Sequence, residues 1–153
     1  MKRVTGIDVQ PIRIRWWWSG GMLAVGGALY VLFRPVGILV TVVLRTLGFG
    51  MAIDTLRRLM AGVQLPDVVV YSLPGGLWSA AYILLMDALW RGRRAWLRCG
   101  MVALVPLVGA GSEVLQALHW LPGTADAADA LCYLLPYILY MMYELSANKK
   151  ITW

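Results

Sequence analysis

The chain has 153 residues, 60% of them apolar by a broad count and only 14% charged, with 14 Lys or Arg against 8 Asp or Glu. Ordinary soluble domains are about 45–50% apolar, so the excess points to lipid as the surrounding solvent. It argues against a soluble enzyme, a disordered chain or a secreted disulfide scaffold and, despite the net charge of +6, against a nucleic-acid binder.

Uncharged runs at 16–33, 68–86, 99–112 and 130–143 approach the length that crosses a hydrocarbon layer of about 30 Å as helix. They predict an all-α fold, a polytopic transmembrane helical bundle forming one domain over 1–153. Its four spans fall near 16–33, 71–90, 97–120 and 125–145, with a re-entrant or interfacial segment at 36–65. The first run follows "MKRVTGIDVQPIRIR" but closes on Leu32, Phe33, Arg34 and Pro35, not on the small residues of a cleavage site, and reads as a retained anchor.

Orientation follows from the basic residues, which stay on the cytoplasmic side. With four spans, Lys2, Arg3, Arg13, Arg15, Arg91, Arg93, Arg94, Arg98, Lys149 and Lys150 lie inside, ten of the 14. A fifth span at 36–53 would leave seven inside and six outside and bury Arg45. The expected location is therefore a bacterial inner membrane, multi-pass, with both termini cytoplasmic.

Helix one opens on Trp16, Trp17 and Trp18, which suit the headgroup layer, and carries Gly20, Gly21, Gly26 and Gly27, which permit close helix approach. The next segment holds Arg45, Arg57 and Arg58 in an amphipathic pattern. Pro66, Pro74, Gly75 and Gly76 then interrupt a hydrophobic stretch; the break is either an anion seat made of free amides or a bend. Asp87, one turn before Arg91, reads as a local pair or a headgroup contact. Cys99 and Cys132 are expected near opposite faces of the membrane, too far apart to bridge.

An ionisable residue inside a span is a functional candidate, and Glu113 is that residue in the third helix. Gln116 lies one turn on, and His119 or Trp120 continues the face. The fourth helix answers with Asp126, Asp129, Tyr133, Tyr137, Tyr140 and Glu144, spaced to share one face that should turn toward the bundle interior. A plainer reading stands beside this one: Thr124 or Asp126 caps the helix, Asp129 meets its dipole, and the tyrosines pack between helices. For Glu113 no cap is in view. The single His and the separated Cys assemble no metal site, and no cofactor is expected.

The segment "SEVLQALHWLPGTADAADALCYLL" resembles the signature of VanZ-like membrane proteins, a Glu and a Gln three apart on a helix followed by a short loop and two Asp three apart. The matching residues are Glu113, Gln116, Asp126 and Asp129. Upstream, "LYVLFRP" and "VVYSLPGGLWSAAYILL" are similar to the same group, and the likeness covers most of 28–135. Two departures are Gly123 and Thr124, where the family often has an arginine, and Tyr133 and Pro136, where it often has Asn and Gly. The resemblance implies a small bacterial inner-membrane protein, with some relatives linked to glycopeptide resistance.

These readings converge on a protein that binds an envelope lipid or lipid-linked headgroup in an outward-facing polar pocket and affects antibiotic or envelope-stress resistance. Its expected ligand-binding residues are Glu113, Gln116, Asp126, Asp129 and His119, with Arg34, Arg45 and Tyr71 as partners from the preceding segments. Carboxylates alone would repel a phosphate, so arginine must neutralise them or offer its planar fork. Two alternatives stay open: an acid/base enzyme acting on a lipid-linked substrate, and a partner subunit or homo-oligomeric pore.

Overall fold

A computed structural model describes residues 12–149, so the expected positions of Lys2, Arg3 and Lys150 lie outside the described residues. The chain forms α1 (Ile12–Phe33), α2 (Leu39–Leu44), α3 (Gly50–Leu59), α4 (Leu73–Leu89), α5 (Ala95–Ala117) and α6 (Ala127–Lys149), with π-helical stretches at Arg45–Phe49 and Val68–Ser72. No strand occurs among the described residues. Helix α4 is the centre of the bundle: α1 packs on one side, α5 and α6 on the other, and α5 and α6 also pack together.

The surface is inverted relative to a soluble protein. Leu39, Met51, Val108, Leu131 and Leu139 stand exposed, whereas Ser19, Ser72, Ser79, Asp87 and Glu113 are buried. Among the described residues, four stretches are long and apolar enough to cross a membrane, Ile14–Phe33, Leu39–Leu59, Val68–Leu89 and Ala95–Ala117. The protein is an all-α bundle of the multi-pass membrane kind.

Leu39–Leu59 was not among the predicted spans. Helix α6, at 23 residues, has the length of a span as well. Leu39–Leu59 has the composition but not the straightness. Gly48 adopts φ 92°, a left-handed conformation that glycine accepts without penalty, and the chain kinks there. The arms on either side have nine and eleven residues, about 14 and 16 Å at the rise of a helix, and each alone is too short to span. The segment also comes back to where it began. Arg57 donates to the carbonyls of Val31 (2.9 Å from Nε) and Arg34 (2.5 Å) at the end of α1.

Small polar side chains stitch the interfaces. Ser19 donates to Ala81 O (3.0 Å, α1 to α4), Ser79 to Tyr133 O (2.9 Å, α4 to α6) and Tyr82 to Met101 O (2.9 Å, α4 to α5). Such bonds and close contacts at small residues hold helices together where lipid removes the hydrophobic drive between them. A Cβ on Gly76 would lie 2.9 Å from the Cys132 carbonyl oxygen, and one on Gly109 would lie 2.5 Å from the Tyr133 ring. Around them a small core gathers Ile83, Val102 and Tyr140, with Met86, Tyr137 and Met141 against it. Cys99 and Cys132 are both free.

Candidate functional site

Two polar clusters occupy opposite ends of the bundle. The first lies where α1 and α5 end and α4 and α6 begin. Pro74 has no N–H to give the Val70 carbonyl one helical turn earlier, and the π-helical stretch before it loosens the local ladder. Arg34, just past α1, fills the gap: its Nε donates to Val70 O (3.4 Å) and its Nη2 to Tyr71 O (2.5 Å). Its guanidinium also lies 4.4 Å from the Tyr30 ring centre and 5.3 Å from that of Tyr71, within reach of cation–π attraction. The expected break at Pro74 is therefore absent. Helix runs through it, and the amides there are not free to seat an anion.

Two adjoining hollows open beside Arg34, of about 410 and 180 Å³. Arg34, Tyr71, Ser72 and Asp129 belong to both. Asp67, Val68, Thr124 and Asp126 complete the larger; Tyr30, Gly75, Trp78 and Tyr133 complete the smaller. Tyr133 reaches this position because Gly75 and Gly109 leave a notch for its ring, and Trp78 because Gly26 leaves room on α1. Tyr30 and Trp78 rings stand 5.2 Å apart and tilted.

The eight residues expected from sequence divide. Arg34, Tyr71, Asp126 and Asp129 meet at the cavity. Glu113 is buried just behind it: its Oε2 accepts the Asp126 backbone N–H at 3.0 Å. Glu113, for which no capping role was in view from sequence, thus serves the start of α6 and ties it to α5. Asp126 caps the same end, its Oδ1 accepting the Ala128 N–H at 2.8 Å. Gln116 is half-buried but outside the cavity walls; a Cβ on Gly123 would lie 2.6 Å from its Oε1, so it underpins the loop. His119 does not continue the helical row, because α5 stops at Ala117 and His119 turns left-handed at φ 57°, exposed. Arg45 is also elsewhere. It pairs with Asp54 across the kinked segment, on the exposed surface.

Two polar oxygens at the cavity are buried yet make no hydrogen bond among the described residues, Ser72 Oγ and Asp129 Oδ1. Ser72 is 2% exposed. Leaving such a group unmatched costs about 1–3 kcal/mol, so the cavity is short of hydrogen-bond donors near Asp129.

The second cluster was not apparent from sequence. Asp87, 1% exposed, receives Arg15 of α1 on Oδ2, Arg91 on Oδ2 at 3.4 Å, Arg98 of α5 on Oδ1 at 3.4 Å, and the Tyr140 hydroxyl of α6 on Oδ1 at 2.9 Å. Arg98 also pairs with Glu144. One carboxylate on α4 thereby joins all four long helices. The pairing with Arg91 is present, but it is one of four contacts. An available signal was the rule that singled out Glu113, since Asp87 also falls inside a predicted span. Beside this cluster an apolar hollow of about 430 Å³ opens between α1, α4 and α6, lined by Trp18, Leu84 and Leu139 among others.

Among the described residues no group of three or more His, Cys, Asp or Glu is placed to hold a metal ion. No family model, curated protein or solved structure matches the chain.

Proposed function

We propose that this chain is a VanZ-like protein of the bacterial inner membrane that binds the headgroup of an envelope lipid, or of a lipid-linked intermediate, in the cavity between Arg34 and Asp129. The observation that carries this reading is a cavity lined by Ser72 and Asp129, each with a buried oxygen that makes no hydrogen bond among the described residues, and by an arginine that keeps donors in reserve. Arg34 uses two of its N–H groups on carbonyls; a guanidinium has five. A cavity of about 410 Å³ falls in the range of about 300–1,000 Å³ typical of small-ligand sites.

Orientation supports an outward opening. Arg91, Arg93, Arg94 and Arg98 lie around the connection from α4 to α5, at the opposite end from the cavity. Basic connections remain cytoplasmic, so the cavity faces the outer leaflet and both termini face the cytosol. The likeness of Glu113, Gln116, Asp126 and Asp129 to the VanZ-like signature adds the link to resistance against antibiotics that act on the envelope.

The test is the double variant Arg34→Gln with Asp129→Asn, expressed beside Arg45→Gln, whose side chain lies away from the cavity. Phospholipid retained per protein after detergent purification, measured as phosphate, should fall several-fold in the double variant and not in Arg45→Gln. Resistance conferred by the unaltered chain should fall with it. Equal retention in all three, with normal yield, overturns the reading.

A further inference from the structure

The balance of charge and of hydrogen-bond donors around the cavity narrows its ligand. Asp67, Asp126 and Asp129 face a single cation, Arg34, in the larger hollow, and Glu113 adds a fourth carboxylate directly behind Asp126. A purely anionic ligand is repelled by this excess. A purely cationic one leaves the spare N–H groups of Arg34 unused. The two sides of the cavity therefore ask for different things: an acceptor at Arg34, and a donor at Asp129, with the Ser72 hydroxyl beside it able to give or take a hydrogen bond; Asp129 Oδ1 and Ser72 Oγ are buried without partners among the described residues.

We infer that the site selects a zwitterionic headgroup in which a primary ammonium sits close to a phosphodiester, as in an ethanolamine-type aminophospholipid, with phosphate on Arg34 and ammonium between Asp129 and Ser72. This rests on the headgroup-binding reading above. A quaternary ammonium does not serve, because it has no N–H to satisfy Asp129. Of the four aromatic rings at the cavity, Tyr30 and Tyr71 already meet the Arg34 guanidinium. A glycerol headgroup offers hydroxyl donors but leaves the ligand anionic before three carboxylates. Ser72, 2% exposed and unpartnered, is the observation independent of the acidic cluster.

The experiment measures binding of dihexanoyl lipids with ethanolamine, choline or glycerol headgroups to the purified full chain in detergent, by native mass spectrometry and by thermal shift. A fourth arm uses water-soluble glycerophosphoethanolamine. The ethanolamine lipid should bind about tenfold more tightly than the other two, the worth of one charge-assisted hydrogen bond. Asp129→Asn should abolish that preference, and Arg34→Gln should weaken all three lipids together. If glycerophosphoethanolamine competes at similar concentration, the recognised chemistry is that of the headgroup wherever it comes from; if it does not compete, the source is membrane lipid. Choline and glycerol lipids binding within threefold of ethanolamine overturn the ammonium inference while leaving the pocket. Binding indifferent to both variants overturns the pocket as well. Should either variant fail to fold, the lipid panel on the unaltered chain still decides the ammonium question.

Discussion

Asp87 shows how one side chain can organise a membrane bundle. Its two oxygens meet groups from α1, α5, α6 and the turn after α4, and at 1% exposure it depends on them for all its solvation. Replacing Asp87→Asn removes the charge that three arginines share and leaves them facing one another. Breaking a buried ion pair from one side costs about 3–5 kcal/mol, and partial exposure of Arg15, Arg91 and Arg98 puts this case near the lower end. Tyr140→Phe removes one bond to a charged acceptor, about 2 kcal/mol, while Arg98 remains. Unfolding in detergent should rank the variants in that order, with Tyr140→Phe intermediate; Asp87→Asn as stable as the unaltered chain would mean that the network does not hold the helices. Glu113 was found from sequence because it stands alone in its span. Asp87 was passed over because Arg91 one turn away offered a local explanation, and its partner Arg15, 72 residues distant, emerges only when helices pack.

At the scale of the element, prolines and polar side chains are matched in a way partly written in the sequence. A proline deprives the carbonyl four residues earlier of its helical partner, so Pro35, Pro74 and Pro136 free the carbonyls of Val31, Val70 and Cys132. Arg57 donates to Val31 O and Arg34 to Val70 O, whereas Ser79 donates to Tyr133 O and not to the Cys132 carbonyl. Such bonds are how irregular helix is tolerated at membrane depth. The orphaned carbonyls follow from counting; the arginine donors do not, because each lies on another element, 26 and 36 residues away. The long helices and the shared face of Asp126, Asp129, Tyr133, Tyr137, Tyr140 and Glu144 were legible from charge-free runs and helical spacing. The end of α5 was legible too, since Pro122 and Gly123 follow Ala117 closely, yet the spacing rule carried His119 along the helix. Glycines give a sharper test of packing. In Gly109→Ala the new Cβ would lie 2.5 Å from the Tyr133 ring, whereas at Gly111 nothing lies within 4 Å. Gly109→Ala should therefore destabilise by about 1–3 kcal/mol through overpacking and lower lipid retention by displacing Tyr133 from the cavity wall. Gly111→Ala should be neutral or stabilising by up to about 1 kcal/mol. Detergent unfolding midpoints for the pair check this, and the reverse order would remove the notch.

For the molecule as a whole, the decisive quantity is how many times the chain crosses the bilayer between α1 and α4. Composition alone allows Leu39–Leu59 to cross. The kink at Gly48 and the return of Arg57 to the end of α1 instead bring the segment back to the side from which it left. If it returns, α1 and α4 run in opposite directions with their cavity ends together, as Arg34 on Val70 and Tyr71 requires, and the Asp87 cluster collects at the other end. Single cysteines in a chain lacking Cys99 and Cys132 read this directly: Gly37→Cys before α2, Ala61→Cys after α3, Arg93→Cys between α4 and α5, and Ala125→Cys before α6, all at exposed positions. A membrane-impermeant maleimide applied to intact spheroplasts should label Gly37→Cys, Ala61→Cys and Ala125→Cys, and should label Arg93→Cys only after the membrane is permeabilised. Labelling that separates Gly37→Cys from Ala61→Cys would make Leu39–Leu59 a full crossing. Arg34 and the start of α4 would then be on opposite faces of the membrane, and the cavity between them would not exist. Labelling of Arg93→Cys alone in intact spheroplasts would keep the bundle but turn its cavity toward the cytosol, removing any access to the outer leaflet.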